Sequence, residues 1–124
     1  MDPAGVIAFM FGLLSITLVA AFLAPMARDR KLARNAAIGI KTRHTLASDD
    51  AWFAEHQQAA PLLAAASWAG WAALASAAVL CLLGQFGFAF AAIGTGYLAA
   101  IALLVISTAT ANKAARSFPA AGLG

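Results

Sequence analysis

Charge is what this sequence has least of. Only 10% of its 124 residues are Asp, Glu, Lys or Arg, against roughly 25% in soluble domains, and the mean hydropathy is +0.84. Such a surface deficit argues against a water-soluble fold. Cysteine is almost absent as well: Cys81 stands alone, which excludes an intramolecular disulfide and any paired-cysteine metal motif. No Lys or Arg precedes the first apolar run, so the basic start of a signal peptide is missing and the run is read as retained. Residue 2 is Asp rather than Gly and no cysteine lies near the C-terminus, so no lipidation motif is offered.

What is present is apolar length. Residues Ala4 to Ala27 carry no charge, and a helix needs about 20 apolar residues to cross a hydrocarbon core of about 30 Å. Arg28, Asp29, Arg30 and Lys31 follow and end that crossing, with Pro25 distorting its last turn. From Gln57 to Asn112 the chain again has no formal charge, too long for one helix and enough for two. Gly84-Gln85-Phe86-Gly87 is the natural turn. The expectation is an all-α membrane protein in a single domain, with spans near 4–27, 61–83 and 88–111. Pro61 is placed in the first turn of the second span, where its missing N–H costs nothing.

The basic residues set the expected orientation, because Lys and Arg in short loops stay on the cytoplasmic side. Arg28, Arg30, Lys31, Arg34, Lys41 and Arg43 lie between the first two spans, and Lys113 and Arg116 follow the third. Three spans put both basic segments on one face, leaving the N-terminus outside and the C-terminus in the cytoplasm. Ala64 to Ser67, Ala72-Ala73, Ala75 to Ala78, and Ala92, Gly96 and Ala100 are small residues of the kind that let helices approach closely in lipid. A tight hairpin, or a homo-oligomer face, is expected from them.

Residues 28–60 hold the varied polar inventory and are read as a cytoplasmic loop. Ser48 before Asp49 and Asp50 has the pattern of a helix N-cap with acidic residues in the first turn. A short interfacial helix from there to Pro61 would carry Asp49, Trp52 and His56 on one face, Phe53 and the alanines toward the membrane, and Trp52 at headgroup level. The first helix is expected to run past the membrane and stop near Gly39, a position suited to φ > 0. Asn35, Thr42 and Thr45 would bond backbone groups at the helix ends.

Asn35, Gly39-Ile40-Lys41-Thr42, Thr45-Leu46, Ser48, Trp52 and His56 together resemble the signature of the SdpI family. In that signature an Arg usually stands where this chain has Lys41, and an Arg often follows the His where this chain has Gln57. The resemblance implies a bacterial plasma-membrane protein. The best-known members are immunity proteins against a secreted killing peptide, one of which also sequesters a repressor at the membrane.

Other chemistries fit less well. His44, Asp49, Asp50, Glu55 and His56 have metal-ligating atoms, but their spacing matches no recognised site and Glu55 and His56 should point about 100° apart on a helix. No nucleophile is placed with a base, so neither an enzyme nor a bound cofactor is expected. The basic loop has too few aromatic stacking residues for nucleic acid and reads as a topology signal. Arg28, Arg30, Lys31, Arg34 and Arg43 are its candidate contacts to anionic lipid or a partner. Trp68 and Trp71 serve either helix packing or a ligand. No Asp, Glu, Lys, Arg or His lies within the expected spans, which argues against a proton or ion path. Two functions remain: immunity against a membrane-active peptide, or an accessory subunit docked on a larger membrane complex.

Overall fold

The computed structural model describes residues 2–29 and 49–115, which form three helices: α1 (Pro3–Arg28), α2 (Asp49–Leu82) and α3 (Phe86–Ala115). All three are long and apolar enough to cross a membrane, and large apolar side chains such as Phe11, Phe22, Leu82, Phe88, Leu98 and Val105 point outward. The chain is a multi-pass membrane protein.

The helix ends follow from local chemistry. The Asp2 carboxylate accepts the Ala4 N–H at 3.2 Å and Pro3 occupies the first turn, so the start of α1 is capped. Asp29 closes α1, its N–H donating to the Pro25 carbonyl at 2.9 Å. Within the described residues α1 ends at Arg28; the stop expected near Gly39 lies outside them. At the other end of the bundle, Gly84 N–H donates to Cys81 O at 3.0 Å and Gln85 N–H to Leu80 O at 2.8 Å. That two-bond pattern requires the left-handed conformation that Gly84 adopts at φ +73°. The turn expected at Gly84-Gln85 is thus present.

Two expectations are corrected in α2. No separate interfacial helix stops at Pro61: α2 begins at Asp49 and runs unbroken for 34 residues, about 51 Å at 1.5 Å per residue. Pro61 is therefore an interior residue and not an N-terminal one. Packing outweighs the lost backbone bond, since Ala59, Ala60 and Leu63 around it are all buried.

The core has two centres. Toward the Gly84 turn, Val6, Leu13, Ala77, Ala89 and Ile93 pack together with Phe9, Leu74, Phe86 and Tyr97 around them. Phe9 stacks on Phe90 and Tyr97 with ring centroids 5.0 and 4.5 Å away, and the Tyr97 hydroxyl donates to Phe9 O at 2.9 Å. Toward Arg28 the core is smaller, made of Ala24, Ala27, Ala60 and Leu63. Between them the helices touch closely: a Cβ on Gly70 would run into Thr17, and one on Gly96 into Ala73.

Candidate functional site

The polar chemistry of the described residues gathers where α1 ends and α2 begins. Arg28 extends from the last turn of α1, exposed, with Nε donating to Asp29 Oδ1 at 3.1 Å and Nη2 to Oδ2 at 3.4 Å. Across from it Gln57 Nε2 donates to Arg28 O at 3.1 Å, so Gln57 is level with the end of the charge-free run of α1. Asp49 to His56 therefore project past the level at which the charge-free run of α1 ends.

From that projecting segment onward the buried positions are Ala51, Trp52, Glu55, His56, Ala59, Ala60 and Leu63, a helical stripe repeating at three and four residues. The stripe corrects the expected faces. Trp52 is fully buried against protein, Ala51, Ala59 and Ala60 face inward, and Asp49 is exposed and does not share the buried face of Trp52 and His56. The Trp52 and His56 rings lie 4.2 Å apart between centroids. His56 Nδ1 is 2.7 Å from Trp52 O; a carbonyl only accepts, so Nδ1 carries the proton.

Glu55 and His56 do not diverge as adjacent helical residues were expected to. Glu55 Oε1 approaches His56 Nδ1 to 3.1 Å, and the Glu55 side chain is wholly buried. Both carboxyl oxygens lack a hydrogen-bond partner among the described residues. Burial pushes the Glu55 carboxyl above the usual carboxylate range, partly countered by the imidazole beside it. Sequence reasoning singled out Trp52 and His56 but missed Glu55 as their partner. The signal was its place in the Ala51, Trp52, Glu55, His56, Ala59 repeat.

Below this cluster a groove of about 500 Å³ opens between α1 and α2. Arg28 and Gln57 stand at its polar end, Ala21, Ala24, Ala60, Ala64 and the two prolines form its walls, and Ser67, Trp68 and Trp71 close its deep end. Trp68 is 74% exposed and Trp71 37%. Among the described residues neither indole N–H has an acceptor. Pro25 and Pro61 each withdraw the N–H that a helix offers to the carbonyl four residues back, those of Ala21 and Gln57, both of which border the groove.

Of the residues singled out from sequence, Arg28, Trp52 and His56 are thus placed at this end of the bundle. Asn35, Gly39, Lys41, Thr42, Thr45, Leu46, Ser48, Arg30, Lys31, Arg34 and Arg43 lie outside the described residues.

No curated protein and no solved structure matches the chain at a significant level. A family model described as the SdpI/YfhL protein family matches residues 31–111, which takes in the signature segment, all of α2 and nearly all of α3. With that match covering well over half of its length, the chain belongs to the SdpI/YfhL family.

Proposed function

We propose that this protein is a non-enzymatic, SdpI-type protein of the bacterial plasma membrane that protects its cell against a secreted membrane-active peptide, which docks on the α2–α3 hairpin. The N-terminus faces outward and the basic ends face the cytoplasm, as the distribution of Lys and Arg favours. The observation that supports docking is a second groove, about 330 Å³, formed by Ala69, Ala72, Ala73, Ser76, Ala92, Thr95, Gly96 and Ala99. Small side chains there leave room for another helix to approach closely. The Ser76 and Thr95 hydroxyls donate to their own helix, to Ala72 O at 2.8 Å and Ala91 O at 2.9 Å. The groove therefore needs no polar partner to satisfy them.

The test is a strain without the protein, challenged with secreted peptides of related bacteria. Resistance restored by the wild-type chain, and lost when Ala72→Leu and Ala99→Leu fill the groove at unchanged expression, supports the reading. Equal sensitivity with and without the protein removes it. The same groove also suits a subunit docked on a larger membrane complex, and unchanged sensitivity together with stoichiometric copurification of such a partner would put that function in its place.

A further inference from the structure

Independently of the hairpin face, the groove between α1 and α2 has the features of a ligand site. Its volume of about 500 Å³ lies within the roughly 300–1,000 Å³ of small-molecule sites. Along α2 it extends from Gln57 to Trp71, about 20 Å at 1.5 Å per residue. That is close to one leaflet, half of a core of about 30 Å plus the headgroup layer.

The lining changes along this length. At the outer end stand the Arg28 guanidinium and the Gln57 amide; deeper, the walls are alanine and proline up to Ser67 and the two tryptophans. A gap of this size inside a membrane cannot stay empty without forfeiting the contacts of every wall atom. The material that fills it must be apolar along its length and polar at the Arg28 end. Asp29 offsets Arg28 locally. The sequence that runs on from Arg28 to Arg43 nevertheless carries six basic residues against that one acid, a pattern that favours an anionic partner.

We propose that this groove binds one acyl chain of an anionic phospholipid, with the lipid phosphate at Arg28 and the chain lying over Ala21, Ala60 and Ala64 against Trp68 and Trp71. The lipid is held as a defined ligand and not as bulk solvent.

Trp68 and Trp71 report on it, because they line the groove while Trp52 is buried away from lipid. The full-length protein is placed in phosphatidylcholine nanodiscs, and tryptophan quenching is followed as brominated phosphatidylglycerol or brominated phosphatidylcholine is added. Half-maximal quenching is expected at an about fivefold lower fraction of the phosphatidylglycerol, the preference that one cation near a membrane surface contributes. Arg28→Gln, an exposed change that leaves the core intact, is expected to abolish the preference while quenching persists. Ala21→Phe, which fills the groove, is expected to weaken quenching by both lipids. Equal quenching by both lipids in the wild type would reduce the groove to bulk lipid contact and overturn the proposal. So would a preference that survives both substitutions. Absence of quenching by either lipid would mean that protein, such as a second copy or a partner helix, covers the groove, and overturns it as well.

Discussion

The two ends of this bundle are built from different materials. At the Gly84 end, aromatic and branched side chains interlock around Ile93 and Leu13, and the connecting turn satisfies its own backbone groups. At the Arg28 end the core is alanine and one leucine, two prolines interrupt backbone bonding, the Glu55 carboxyl is buried with no donor among the described residues, and a groove remains open. The difference separates a part that holds the helices together from a part where local packing and bonding are compromised. Buried ionisable groups are expensive in any interior, and here Glu55 and His56 lie together at the Arg28 end.

The strongest way to break this comparison is Trp52→Ala. Removing a fully buried indole should cost about 3–5 kcal/mol, seen as a large drop in the thermal unfolding midpoint in detergent. A small drop would mean that the Arg28 end is not packed around Trp52. Gly70→Val comes next. It drives a branched side chain into Thr17 between the two ends and should cost about 3 kcal/mol, separating α1 from α2 in a crosslinking assay while the α2–α3 hairpin persists.

Glu55 sharpens the comparison through pH. Its carboxyl is held above the ordinary range by burial. The stability it brings is therefore complete below its unfolded value and is lost as pH rises through the folded one. Melting followed from acid to neutral pH should show this decline in the wild type and not in Glu55→Gln; an identical profile in both would assign the dependence elsewhere. The smallest expected effect belongs to the Gly84 end. Tyr97→Phe removes the bond to Phe9 O but keeps the ring stack, and should cost about 0.6 kcal/mol, the mean for such bonds between membrane helices. A loss several times larger would show that this end too depends on polar contacts.

Much of the architecture was legible in the sequence because membrane helices announce themselves by uncharged length, and Gly84-Gln85 is a turn with a mechanism. The family, too, could be read from a handful of spaced residues between Asn35 and His56. What could not be read was the continuity of α2. Pro61 and the polar residues before it are local signals for a boundary, and tertiary burial of Ala59, Ala60 and Leu63 overrides them. Glu55 was hidden for a related reason. A charged residue near a membrane end suggests solvent, whereas the face it occupies is decided by helical phase relative to Trp52 and Ala59. The groove leaves no local mark at all, because it arises from small residues on two helices far apart in the chain.

The Gly84 turn has one more consequence, for how the protein answers membrane thickness. Helices joined by so short and internally bonded a link cannot choose their inclinations separately. When the bilayer thins, α2 and α3 must lean together as one body, and the end that sweeps furthest through the headgroup layer is the projecting start of α2 that carries Trp52, Glu55 and His56.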